Sequence, residues 1–336
     1  FATGGLFVVL ESWMLVSSTP ANRGRLMSLY MILLYGSLAL GQLLLKQVDP
    51  MVLTPFALCA MAATLSVVPL ALSRVATPAM VAPQPVGVLE LVRLTPAGMG
   101  SSFTSGLILG AIYGLLPLYF TDSGASLSQV ADMMALVILG GMCLQYPIGR
   151  ASDRYDRRLV ILLLCALLTL IALWMVLLPE PWREPVEGTL VFLLGGMAFS
   201  IYPLSLSHAC DELRPDQVLG ANQGLLLAYS LGAMTGPLLA PFTMATFGPQ
   251  GLFVYFALCG LLLSAYLGWR RRKRAPIPLT EHQVFMPVPP NTPMTAELEP
   301  RTDLEGEAVP ASYAAPDAEE RAVSEEGQER DAPQGR

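Results

Sequence analysis

Apolar stretches about as long as a bilayer is thick recur along most of this chain. A helix needs about 20 apolar residues to cross roughly 30 Å of hydrocarbon. Nine stretches qualify: 1–17, 26–45, 51–73, 99–120, 130–148, 159–178, 188–208, 218–245 and 251–269. In lipid every backbone N–H and C=O must be satisfied within the segment, so such stretches are read as helices. Charged residues make up 14% of the chain and hydrophobic ones 53%, whereas a soluble domain carries about 25% charged residues. The fold class predicted is all-α, a polytopic membrane helix bundle.

The connections carry the breakers: Pro20 with Asn22-Arg23-Gly24, Asp49-Pro50, Asp122-Ser123-Gly124, Pro179-Glu180-Pro181, Arg214-Pro215-Asp216 and Gly248-Pro249. The longest connection, 74–98, holds Pro78, Pro83, Pro85 and Pro96. Residues 275–336 are rich in Pro, Glu and Ala, with four Arg against thirteen Asp/Glu. That composition predicts a disordered acidic tail. Residues 1–274 hold sixteen Lys/Arg against thirteen Asp/Glu. When alternate loops are assigned to opposite sides, one side collects fourteen of those basic residues. The other collects only Lys46 and Arg183. The positive side is expected to be cytoplasmic, with the C-terminus on it. With nine spans, the chain's start then falls outside. It lies in mid-stretch and lacks a methionine, so we expect a truncated N-terminus.

Several chemistries find no support in the residues. Cys59, Cys143, Cys165, Cys210 and Cys259 lie in or beside apolar runs without paired spacing, as small apolar fillers do. Two histidines supply a metal site poorly. No G-x-x-x-x-G-K-[ST] run is present, which argues against ATP-driven pumping. No cofactor, metal or nucleic-acid partner is expected, no oligomer is implied, and the chain is read as no enzyme.

Spans 51–73, 159–178 and 251–269 carry almost no polar groups beyond Ser and Thr. They suit helices that face lipid broadly. The remaining spans hold the candidates for a solute or proton path: Glu11, Gln42, Tyr113, Gln145, Tyr202, His208 and Asn222. Glu11 stands about 9 Å inside its span, at 1.5 Å per residue. A carboxylate at that depth is expected to face the interior, as a proton carrier, a solute ligand or a structural partner. Tyr35 and Gln42 share one helical face seven residues apart, as do Asn222 and Tyr229. Two stripes of small residues invite close helix packing. One is Ser102, Gly106, Gly110 and Gly114; the other is Gly220, Gly224, Ala228, Gly232 and Gly236. Asp132 is read as complementing a helix dipole in the first turn after Ser128. The run Arg270-Arg271-Arg272-Lys273-Arg274 is read as an anchor at the lipid surface.

Gly24-x(3)-Ser28-x(7)-Gly36 is matched 196 residues later by Gly220-x(3)-Gly224-x(7)-Gly232. Parallel repeats of this kind build the two halves of some transporters. Gly149-Arg150-Ala151-Ser152-Asp153-Arg154-Tyr155-Asp156-Arg157-Arg158 then resembles the G-x-x-x-D-R-x-x-R-R signature of the major facilitator superfamily. Asp156 and Ala151 depart from its usual residues. Asn22-Arg23-Gly24-Arg25 is similar to the family's Arg-Gly turn before a fifth helix. The resemblance covers about residues 1–270 and implies helices four to twelve of twelve.

On that resemblance, 1–73 is the remainder of an N-terminal six-helix half and 74–98 the cytoplasmic loop between halves. Residues 99–274 form the C-terminal half, and 275–336 the cytoplasmic tail. Gly149, Asp153, Arg154, Arg157 and Arg158 form a gating loop. The resemblance implies a secondary transporter in a bacterial cytoplasmic (inner) membrane, moving a small solute, with protons as the implied coupling ion. Its other partner is membrane lipid. Two alternatives stand beside it. One is a receptor or assembly factor on the same fold. The other is a membrane enzyme built on Ser207-His208-Ala209-Cys210-Asp211.

Overall fold

The computed structural model describes residues 23–47, 52–72, 87–178, 180–213 and 215–273. Among them the chain forms helices and no strand. The predicted span 1–17 with Glu11, and the tail from 275, lie outside the described residues. Helix α1 (Arg23–Leu44) ends in a 3-10 turn at Leu45–Gln47. It is followed by α2 (Thr54–Leu72), the short α3 (Val88–Leu94), α4 (Pro96–Asp122) and α5 (Leu127–Ser152). Then come α6 (Arg157–Leu177), α7 (Glu180–Glu212), α8 (Pro215–Phe247) and α9 (Gly251–Lys273). Seven of these helices, all but α2 and α3, are long and apolar enough to cross a membrane. The apolar part of α2, Thr54–Pro69, is shorter.

The sequence-based ends need correction where proline was read as a breaker. Helix α7 was expected over 188–208 but runs from Glu180 to Glu212. Pro181 falls in its first turn, where the missing N–H has no helical partner to lose. Pro96 and Pro215 likewise open α4 and α8. The linker 74–98 is not loop throughout, because α3 lies within it. Its Leu91 is fully buried among Met99, Leu206, Ala209, Leu213 and Leu225.

Short connections join the long helices. Ser126 caps α5, and its side chain and that of Gln129 each bond the other's backbone N–H. Gly124 in the preceding turn has φ +87°, a conformation that side-chain-bearing residues seldom adopt. Asp156 caps α6 by accepting from the Arg158 N–H at 2.9 Å.

The small-residue stripes decide which helices cross closely. Helix α4 packs on α8, and α5 on α7. A Cβ at Gly106 would lie 2.0 Å from the Tyr229 carbonyl oxygen, and one at Gly232 2.1 Å from that of Phe103. The stripes predicted on these two helices therefore face each other. Gly140 and Gly195 make the equivalent approach between α5 and α7, at 1.9 Å from the Phe192 oxygen and 2.1 Å from the Val137 oxygen.

Helix α6 shows the peripheral character expected of its span. Ile161, Leu164, Cys165, Leu168 and Ala172 are buried on one face, toward α7 and α9. Leu163, Leu167, Leu170, Trp174 and Leu177 are exposed on the other. Helix α1 is buried along a single stripe, Met31, Tyr35 and Ala39, and packs on α5.

Candidate functional site

Three constellations stand at three levels of the bundle. The first gathers at the end where α5 stops and α6 begins. Two arginines open α6, although a helix N-terminus is the positive end of its dipole. Both side chains are buried, so carboxylates must compensate them. Arg157 meets Asp153 at 3.6 Å and Asp211 at 3.4 Å. Arg158 pairs with Glu212, and its Nε–H donates to His208 Nε2 at 3.3 Å. Asp156 meets Arg271 of α9 at 3.4 Å. Four carboxylates and three arginines thus tie α5, α6, α7 and α9 together. Removing one partner from a buried pair of this kind costs about 3–5 kcal/mol.

The second constellation is small and lies at the opposite helix ends. Lys46, in the turn after α1, pairs with Asp132 of α5. Asp132 is therefore not in the first turn, as expected from the sequence. Helix α5 starts at Leu127, so Asp132 stands in its second turn with a partner from another helix. Both side chains are partly exposed, and an ion pair of that kind contributes about 0–1 kcal/mol.

The third constellation lies between them and is aromatic. The ring of Phe199 meets Tyr35 at 5.6 Å and Tyr113 at 5.9 Å, both nearly perpendicular. Tyr202, one turn along α7, meets Tyr229 of α8 at 5.1 Å. Edge-to-face pairs of this sort are worth about 0.5–1.5 kcal/mol beyond their burial. The rings come from α1, α4, α7 and α8. Tyr35 and Tyr113 each stand nine residues before their helix ends, about 13 Å at 1.5 Å per residue. Tyr202 stands ten residues before the opposite end of α7, about 15 Å by the same rise. The rings therefore meet near mid-depth. Tyr35 Oη and Gln145 Nε2 are buried and have no hydrogen-bond partner among the described residues. An unsatisfied buried polar group costs about 1–3 kcal/mol, so a site that keeps two such groups can gain by binding a solute or water.

A profile of the Major Facilitator Superfamily matches residues 1–226 and again 98–304. The chain belongs to the Major Facilitator Superfamily. An uncharacterized MFS-type transporter of Enterobacter sp. (strain 638) is 32% identical over 256 residues. The uncharacterized MFS-type transporter YcaD of Escherichia fergusonii is 30% identical over 254 residues. YcaD of Escherichia coli O9:H4 is likewise 30% identical over 254 residues. In each case the match takes in 75% of this chain and 65% of the relative. The chain thus spans just under two thirds of the length of these relatives. No solved structure matches it significantly. Superfamily membership and the seven long apolar helices make this an all-α, multi-pass membrane protein of a transporter family.

Within this superfamily member, the residues singled out from the sequence separate. Tyr113 and Tyr202 come together with Tyr35, Phe199 and Tyr229. Gln145 is buried one turn beyond Gly141, whose added Cβ would strike the Phe199 ring. Gln42 is half-buried and lies two turns along α1 from Tyr35, toward Lys46. His208 leaves the group, because it stands about 9 Å along α7 from Tyr202 at 1.5 Å per residue and joins Arg158 and Glu212. Asn222 lies on α8, but its side chain is outside the described residues. Gly149, Asp153, Arg157 and Arg158 stand at the junction of α5 and α6, and Arg154 occupies the turn between them. The run Ser207–Asp211 does not converge on one point: His208 turns to Arg158 and Asp211 to Arg157.

Sequence reasoning missed Asp211 and Glu212 as partners of the arginines, and Lys46 with Asp132. The spacing of His208 and Glu212, four residues apart on one helical face, was the available signal for the first. Ending the span at 208 concealed it. No local signal pairs Lys46 with a residue 86 positions away.

Proposed function

We propose that this protein is a secondary active transporter that moves a small solute across a bacterial cytoplasmic membrane by alternating access. The observation that carries this reading is the mid-depth cluster of Tyr35, Tyr113, Phe199, Tyr202 and Tyr229. Helices from both expected halves supply it: α1 from the first, α4, α7 and α8 from the second. Solute sites of secondary transporters lie near the midplane at such an interface. Tyr35 Oη and Gln145 Nε2, buried and without a hydrogen-bond partner among the described residues, give a solute polar groups to meet.

The two charged constellations fit the two ends of an alternating path. The Arg157 end belongs to the positive side and is assigned to the cytoplasm, with the C-terminus. Its contacts hold the second set of helices together. Lys46 and Asp132 join α1 to α5 on the far side. Opening there needs only an exposed ion pair to part, which costs little. Glu11 is the proposed proton carrier, as the carboxylate deepest in any predicted span. Protons are the proposed coupling ion.

The test is transport by the full-length gene product in proteoliposomes loaded with the pH dye pyranine. A panel of sugars, amino acids, carboxylates and organic cations is added outside. The reading expects at least one solute to move protons with it, and Tyr35→Leu to abolish that flux. Solute flux that is unaltered in Tyr35→Leu contradicts the site. No flux with any class of solute contradicts transport.

A further inference from the structure

The chemistry of the mid-depth cluster narrows what it binds. This inference rests on the transport site proposed above. Three of its tyrosines are buried: Tyr35 is 2% exposed, Tyr202 0% and Tyr229 8%. Tyr113 is 45% exposed, although its ring stands nearly perpendicular to that of Phe199 at 5.9 Å. Phe199 also meets Tyr35, so the half-exposed Tyr113 ring and the buried Tyr35 ring share one phenylalanine neighbour. The wall of the cluster is therefore aromatic ring and hydroxyl.

What the wall lacks is a fixed positive charge. Among the described residues every Lys and Arg stands within about a turn of a helix end. An anionic solute at mid-depth would lose its hydration without gaining a counter-charge, which is costly in a low-dielectric site. A cation meets the negative faces of the rings and the lone pairs of the hydroxyls.

We infer that the solute is a small organic cation, held with its charged group over the Tyr113 ring and its polar atoms toward Tyr35 Oη and Gln145. Ring and hydroxyl then have separate jobs. The ring attracts the charge, and the hydroxyls of Tyr35 and Gln145's amide fix orientation.

The experiment uses the purified full-length gene product in detergent and calorimetric binding of three probes. Benzyltrimethylammonium carries the charge, neopentylbenzene has nearly the same shape without it, and 3-phenylpropanoate carries the opposite charge. The inference expects the cation to bind at least about tenfold more tightly than its uncharged isostere. Tyr113→Leu should weaken the cation by about tenfold, whereas Tyr113→Phe, which keeps the ring, should stay within about threefold. Equal binding of cation and isostere overturns the cation assignment. So does tighter binding of the propanoate, or no binding of any probe. If the isostere or the propanoate binds and Tyr113→Leu abolishes it, the transport site stands and only the charge preference falls. If probes bind but neither Tyr113→Leu nor Tyr35→Leu affects them, both readings fall.

Discussion

The Arg157 end and the tyrosine cluster are both buried polar regions, yet they are built on opposite terms. At the Arg157 end, Arg157, Arg158 and Arg271 each meet a carboxylate, and the pairs join α5, α6, α7 and α9. At mid-depth there is no fixed charge among the described residues. The helices contribute rings that meet at steep angles, and Tyr35 Oη and Gln145 Nε2 have no hydrogen-bond partner among the described residues. A charge network that is satisfied resists change, because parting any pair leaves an ion in a poor solvent. A tyrosine cluster with spare polar groups is only weakly committed to one arrangement, and an incoming solute can improve it. The contrast separates what holds helices in place from what meets a ligand.

The sharpest way to break that comparison is Arg157→Leu. It leaves Asp211 buried and Asp153 half-buried without their cation, and unfolding in detergent should show a loss of about 3–5 kcal/mol. Adding Asp211→Asn to the same protein should restore part of the loss. If Arg157→Leu is as stable as the parent, the cluster is not structural.

Next in size is the glycine seam that supports the aromatic level. Gly232→Ala drives a methyl to within 2.1 Å of the Phe103 carbonyl oxygen, so α4 and α8 must separate. A loss of about 1–3 kcal/mol is expected in the same unfolding measurement. Gly36→Ala is the control, because no atom lies within 4 Å of its added Cβ.

Tyr35→Phe should act in the other sense. It removes a buried hydroxyl that has no hydrogen-bond partner among the described residues, so stability should stay level or rise by up to about 1 kcal/mol. Solute binding should nonetheless weaken. A clear loss of stability would mean that the hydroxyl is engaged in the resting protein. The smallest effect is expected from Lys46→Ala. Its exposed pair with Asp132 should cost less than about 1 kcal/mol, while the labelling rate of a cysteine placed at Gln42 should rise.

Much of this was legible before the structure, for physical reasons that differ by region. Bilayer thickness fixes helix length, so α1, α4, α5, α6, α8 and α9 lie close to where the apolar stretches place them. The stripes through Gly106 and Gly232 were readable because only small residues permit backbones to touch. The Gly149–Arg158 loop was readable from its resemblance to the superfamily's G-x-x-x-D-R-x-x-R-R signature. What stayed hidden depends on contacts between distant segments. Glu212 was cut off because a helix end that carries Asp and Glu reads as loop once hydropathy alone decides. Phe199 was passed over because a phenylalanine in an apolar span has no distinguishing pattern until Tyr35 and Tyr113 are seen on either side. Helix α3 escaped because prolines dominate the linker around it, whereas Leu91 finds a pocket that no linear reading contains.

The central claim is that the solute meets the tyrosines and not the arginines. It is tested most directly by the dissociation constant of one transported solute, measured on two variants with the full-length protein. Tyr35→Leu should weaken binding by about tenfold or more, or about 1.4 kcal/mol. Arg157→Lys keeps the charge but loses the fork that reaches two carboxylates; it should leave the constant unchanged and slow only the transport rate. Equal weakening in both, or weakening in Arg157→Lys alone, would contradict the account.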